Sequence, residues 1–416
     1  MNNKKLIFFT FRDFSKFGGG LIRINGILNS ISTVTDEVIL ISNILDENKK
    51  SLNSNIKHLN IGIDISIFEK RLLQFCLSIF PIFIVNIIFF TKIRELRKVF
   101  KKYNLEESEI IFLEYLDIST GYLAKKNHFI KDYICDIHGL VPNEFKQKKE
   151  NKIANYIKYI SAFLLDKKVF SNSNGIIFAS KAMKEYFYVN YPKIKNKKSV
   201  ILPYFVSNET CKFEISEMLI NQIRTQYNIK ASDKIIFFAG GFKTLGGITD
   251  LVKAFSIASN TVDNIKLFLI GEGEELNNIK NEIRNNKLDK KVILAGLIPY
   301  DELRTYQELA DIIVCPDREN IYSNLILHLK YIDSLVSNKI VINGGFKAVK
   351  EINIDEKLSI DFIPSDIDNL ANKIIYAVEN NVELTKKYSK NNIYVIENLL
   401  YENNPNILLD LLKDEN

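Results

Sequence analysis

The sequence predicts an α/β protein of two domains, each a parallel sheet covered by helices on both faces. Three observations carry that prediction. Short runs of β-branched and aromatic residues recur along the whole chain, and each is followed by a longer stretch with helical patterning. The length of 416 residues is too great for one core and suits two domains of about 200 residues each.

In the first half the runs are KLIFFT (5–10), EVILIS (37–42), IKHLNI (56–61), IIFLEY (110–115), YICDIHG (133–139), GIIFAS (175–180) and SVILPY (199–204). In the second they are KIIFFAG (234–240), IKLFLIG (265–271), KVILAG (291–296), IIVCP (312–316), KIVIN (339–343) and SIDFIP (359–364). Nearly unbroken apolar strands are buried on both faces, which is the habit of parallel sheets. The series pauses between about Phe205 and Asp233, so the domains are expected at 1–205 and 206–385. C-terminal helices over 386–416 are expected to pack back toward the first domain. No Gly/Ser/Pro-rich linker separates the halves, which predicts a short hinge and a cleft where the two sheets face each other.

With 46% hydrophobic and 25% charged residues the chain is neither disordered nor fibrous. Its basic and aromatic residues are dispersed, which argues against nucleic acid as a partner. Cys76, Cys135, Cys211 and Cys315 stand far apart, in no zinc or redox spacing, and read as reduced cytosolic thiols. The start MNNKKLIFFTF lacks the long apolar core of a signal peptide and reads as a first strand. Leu72 to Thr91 is different: 20 residues broken only by Gln74 and Asn86, with Pro81 in the middle and KIRELRKVFKK directly after. Three readings fit it: a buried or groove-lining helix, a membrane-surface helix with a basic flank, or a membrane span. The reading adopted is a cytoplasmic enzyme that docks peripherally on the inner face of the cell membrane.

The segment IIFFAGGFKTLGGITDLVKAF runs a strand straight into Gly240, Gly241, Gly246 and Gly247, with a helix starting near Thr249. Such a loop lets backbone approach a pyrophosphate while the helix end offers N–H groups, and Lys243 adds a cation. A further strand ends in Gly271 and Gly273, the next at Gly296, and a helix ends in Ala310-Asp311 before IIVCP and Pro316.

This succession resembles the family-4, GT-B glycosyltransferases, whose two Rossmann-like domains face each other across a cleft. The resemblance covers 234–352 well and the first half more loosely. It implies a nucleotide-sugar donor site in the second half, with Gly240, Gly241, Gly271 and backbone near Gly296-Leu297 against the nucleotide. NLILHLKYIDSLVSNKIVINGG looks like the family's K-x-x-E-Y helix-to-strand element. The resemblance puts Lys330 on the donor diphosphate and Asp333 on the ribose hydroxyls, and their spacing of three places both on one helix face. The family's sugar-facing Glu falls on Leu325; Asp317 and Glu319 are the acidic residues close by.

In the first half, Gly18-Gly19-Gly20 resembles the family's opening loop toward acceptor and donor phosphates, with Arg12, Lys16 and Arg23 as nearby cations. His138 ends a strand before Gly139, where the family often shows H-G near the acceptor hydroxyl, and it is the candidate to orient or relay the acceptor proton. Asp136 is placed to orient it, and Glu144 is a weaker candidate. His58, His128 and His328 lack such context, although His328 shares the Lys330 helix.

No metal site or cofactor is expected. The only D-x-D, Asp366 to Asp368, reads better with Ser365 as a helix capping box. The resemblance implies a retaining, metal-independent hexosyl transfer to a glycan or lipid-linked acceptor in surface polysaccharide synthesis. A non-catalytic GT-B scaffold is the competing reading, prompted by Leu325 and by Gly241 and Gly246, which stand where the family commonly has Arg and Lys; an epimerase or phosphorylase lacks the residues it would need.

Overall fold

The computed structural model describes residues 5–12, 19–43, 52–147, 151–211 and 215–411. The chain forms two compact units, 1–203 with 404–416, and 204–403. The first holds a seven-stranded sheet in the order β3-β2-β1-β4-β5-β6-β7. Its strands are β1 Lys5–Phe9, β2 Glu37–Ser42, β3 Ile56–Asn60, β4 Glu109–Phe112, β5 Asp132–Ile137, β6 Gly175–Phe178 and β7 Lys198–Ile201. The second holds a six-stranded sheet, β10-β9-β8-β11-β12-β13, from β8 Lys234–Ala239, β9 Ile265–Ile270, β10 Val292–Gly296, β11 Ile312–Cys315, β12 Ile340–Gly344 and β13 Ile360–Phe362. Every strand pair is parallel and each apolar run in the sequence contains a strand; the inner strands are buried on both faces, whereas the edge strand β3 leaves Lys57 and Asn60 exposed.

In the second unit one face of the sheet packs Phe238, Leu267, Val314 and Ile342 against the helix Ile248–Ala258 and its neighbours, and the other packs Phe237, Phe268 and Ile313 against Tyr306 and Leu309. The helices of the first unit that matter below are α1 Gly19–Ile31, α2 Ile67–Ile79, α3 Ile82–Ile88, α4 Phe90–Lys102, α5 Tyr115–Lys126, α6 Val141–Gln147 and α7 Lys152–Asn172.

Three expectations are revised. Residues 386–403 belong to the second unit, where Val206 N donates to Leu399 O at 3.0 Å and Tyr401 N to Val206 O at 3.1 Å; only 404–416 rejoins the first. The physical reason is that pairing, which ties the segment leaving the second unit to the one entering it. Leu72–Thr91 is no single helix. Pro81 has no N–H to give and stops α2, so the stretch is divided among α2, α3 and α4, and no helix among the described residues is long and apolar enough to cross a membrane. Asp366, not Ser365, caps the helix Ile367–Glu379, accepting from Asn369 N at 2.8 Å. Ser365 sits at φ +67° and its hydroxyl accepts from Glu319 N instead.

Candidate active site

In the second unit the strand order reverses between β8 and β11, and ligands of open parallel sheets bind beyond the carboxyl ends at such a point. The loops leaving β8 and β11 meet there. Arg318 N donates to Leu245 O at 3.0 Å, and the Arg318 guanidinium grips Asp250 with two bonds of 2.5 and 2.6 Å. Gly247, at φ +69°, passes so close that a Cβ would lie 1.8 Å from Pro316 O.

Loop packing also accounts for the glycines that follow β9, of which Gly271 was expected against the nucleotide. A Cβ on Gly271 would sit 1.9 Å from Gly240 O, and one on Gly273 2.4 Å from Phe242 O. These glycines let the β9 loop lie directly on the β8 loop, with Gly240 N bonded to Ile270 O, Phe242 N to Glu272 O and Gly271 N to Gly296 O. Thr244 N and its hydroxyl are both held by Glu274, so this amide is already committed to a carboxylate. Gly241 and Gly296 are different: a Cβ on Gly241 would meet only the Lys243 side chain, and one on Gly296 would meet nothing within 4 Å. Lys243 is exposed at the loop tip, and Leu297, 71% exposed, follows Gly296.

Lys330 and Asp333 lie on the helix Leu329–Val336, between β11 and β12. Lys330 Nζ reaches Asp317, buried just past β11, at 2.7 Å to each carboxylate oxygen, and lies 5.4 Å from the centre of the Phe238 ring. His328 Nδ1 stands 3.5 Å from the same carboxylate; burial lowers the His328 pKa and favours the neutral ring. Asp333 shares a cavity of about 40 Å³ with Lys330, Cys315, Ser334 and Gln307. Its Oδ1 is buried without a hydrogen-bond partner, while Arg304 binds its backbone oxygen at 2.9 Å. Burial pushes the Asp333 carboxyl up to about 6 against the pull of Arg304. The structure thus brings Lys330, Asp333 and Asp317 to one place. Asp317, named from the sequence only as an acidic residue close by, is the one that meets Lys330; Arg304 is an addition for which the sequence carried no signal. Leu325 is buried, and Glu319 is tied to Ser365 and Asn324.

In the first unit the order reverses between β1 and β4. Past these strands Arg12 pairs with Glu114, and Phe11 N donates to Asp117 Oδ1 at 3.1 Å. Burial, with Glu114 adding to it, pushes Asp117 up to about 7. Gly19 is the first residue of α1, and at Gly20 a Cβ would lie 2.6 Å from the Arg12 guanidinium. Lys16 and Gly18 lie outside the described residues. His138 follows β5 with Nδ1 3.4 Å from Asp136 Oδ2. Asp136 is buried; desolvation opposes its charge, but Arg23 and His138 outweigh it and hold the carboxyl at about 2. Arg23 is not a cleft cation. It is fully buried, bound to both Asp136 oxygens at 2.9 and 2.7 Å and to the carbonyls of Leu202 and Pro203. Glu144 lies exposed in the first turn of α6.

Two Rossmann-like α/β units of this order define the GT-B fold. Residues 220–395, most of the second unit, match the family model described as glycosyl transferases group 1. An uncharacterized glycosyltransferase of Methanocaldococcus jannaschii is 21% identical over 273 residues, 65% of each chain. The alpha-monoglucosyldiacylglycerol synthase of Streptococcus pneumoniae is 26% identical over 175 residues, 41% of this chain and 37% of that one. The chain thus spans less than two thirds of either curated relative. The crystal structure of Anabaena HepE in complex with UDP superposes with a TM-score of 0.69 at 13% identity, over 98% of this chain and 99% of that one.

Proposed function

We propose that this protein is a hexosyltransferase that binds a nucleotide-sugar donor on its second unit and transfers the sugar to a glycan or lipid-linked acceptor. The observation that carries this reading is the cluster of Lys330, Asp317 and Asp333 at the β8/β11 crevice. Lys330 is the cation for the diphosphate, released from Asp317 as the nucleotide enters. Asp333 offers a buried oxygen that lacks a donor, as an acceptor for ribose hydroxyls. The UDP complex of HepE and the lipid glycosylation named for the pneumococcal synthase support donor and acceptor class respectively. Transfer proceeds with retention and without a metal, the leaving diphosphate being met by Lys330 and backbone amides. His138, set by Asp136, orients the acceptor hydroxyl. The enzyme works at the cytoplasmic face of a membrane in surface polysaccharide synthesis.

The test is sugar transfer from labelled UDP-, GDP-, ADP- and CMP-sugars to membrane lipid extracts and glycans, with and without EDTA. A labelled product that persists in EDTA supports the proposal. Donor binding with no product on any acceptor would favour a non-catalytic scaffold, the reading to which the buried Leu325 points.

A further inference from the structure

We infer that α2, α3 and α7 together form one face that seats on an anionic lipid bilayer. This deepens the membrane-surface part of the reading above and rests on it; the donor chemistry is not needed for it.

At about 3.6 residues per turn, Phe68, Leu72, Phe75 and Ile79 fall in a single stripe along α2, while Leu73, Cys76 and Leu77 turn to the core. All four stripe residues are exposed, Phe68 by 74%. α3 continues the surface with Phe83 and Ile87, exposed by 64% and 72%. α7 carries a second stripe, Ile153, Tyr156, Ile157, Ile160 and Leu164, on the side opposite its buried Ala162, Leu165, Asp166 and Val169. α2 and α7 lie side by side: Ser78 Oγ meets Ser161 Oγ at 2.8 Å, and Lys168 Nζ donates to the carbonyls of Leu77 and Ser78 at 2.9 Å. Both helices bury their opposite sides, so the two stripes look outward together. Soluble monomers rarely expose a contiguous apolar patch beyond about 600 Å², and larger ones mark docking surfaces.

Charge identifies the occupant. The spans 67–102 and 152–172 hold twelve Lys and Arg against Glu69, Glu95 and the buried Asp166, whereas the whole chain nets only +6. The rest of the molecule is therefore net negative; six of the twelve cations lie on α2 and α7 themselves, and the other six on α4, which follows α3 directly. An apolar face flanked by cations matches acyl chains beneath anionic headgroups. A second copy of this chain would bring the same cations face to face.

The chain has no Trp, so single reporters can be read cleanly. Phe83→Trp and Ile157→Trp are each titrated, in the full chain and without nucleotide, with vesicles of phosphatidylcholine alone or mixed roughly 3:1 with phosphatidylglycerol. Both emissions are expected to shift to the blue on the mixed vesicles and to return with salt. The double variant Phe83→Ser/Ile157→Ser, with an unchanged unfolding midpoint, is expected to partition at least about tenfold less. A shift at only one reporter would overturn the joint face. So would equal binding to neutral vesicles, or a blue shift that depends on protein concentration and not on lipid, which would mean a dimer. Vesicle binding without nucleotide binding would keep this inference and remove the donor reading; the reverse would do the opposite.

Discussion

Asp333→Asn should stabilise the protein, and the gain should grow with pH. The carboxyl titrates near 3.8 in the unfolded chain and is pushed to about 6 by burial in the folded one. Between these values the unfolded state loses its proton first, so the carboxyl's contribution to stability falls as pH rises through about 4 to 6 and is at its most unfavourable above that. Two pKa units correspond to about 3 kcal/mol at pH 8 and roughly half that at pH 5. An isosteric amide removes the titration and, with it, the penalty. Urea unfolding of wild type and variant at the two pH values measures the gap directly. The expected result is a higher midpoint for Asp333→Asn at pH 8, a smaller advantage at pH 5, and weaker nucleotide binding at both. A variant less stable than wild type at pH 8, or a gap that ignores pH, would refute the account of a carboxylate held buried for a ligand.

Other outcomes follow from the same geometry. Gly271→Ala should disrupt the second unit by more than about 2 kcal/mol, because its Cβ would lie 1.9 Å from Gly240 O, while Gly241→Ala should melt as wild type; thermal unfolding of the pair separates them. Asp136→Ala leaves Arg23 as a buried unpaired charge and should cost about 3–5 kcal/mol, whereas His138→Ala should alter stability by less than about 1 kcal/mol and lower transfer; denaturation and turnover assays distinguish the two. Lys330→Ala should lose at least about tenfold in nucleotide affinity, with Lys330→Arg recovering part of it by calorimetry.

The strands were legible in the sequence because burial on both faces leaves an unmistakable β-branched run, and IIVCP or KIIFFAG need no partner to be seen. Lys330 and Asp333 were legible as a pair through the resemblance of their segment to the family's K-x-x-E-Y element, their spacing adding that both lie on one helix face. What the sequence could not show was which loop approaches which. Arg23 and Asp136 are joined across 113 positions, and nothing local to Arg23 tells a buried ion pair from a cation awaiting phosphate. Gly271 was expected against the nucleotide, and the close approach that it and Gly273 allow is that of the β8 loop. Asp317 acquires meaning only when the helix Leu329–Val336 returns Lys330 to it. The apolar stripe of α7 was hidden because a helix with Ile and Tyr on one side and Ala, Leu and Val on the other reads as buried all round.

The proposed activity requires that the second unit hold a nucleotide-sugar at the β8/β11 crevice. Isothermal titration of the full chain with UDP-, GDP-, ADP- and CMP-sugars tests it most directly, with Lys330→Ala alongside. Saturable binding of one nucleotide class is expected, weakened in the variant by at least about tenfold. Folded wild-type protein that binds none of them, or a variant that binds as wild type does, would contradict it.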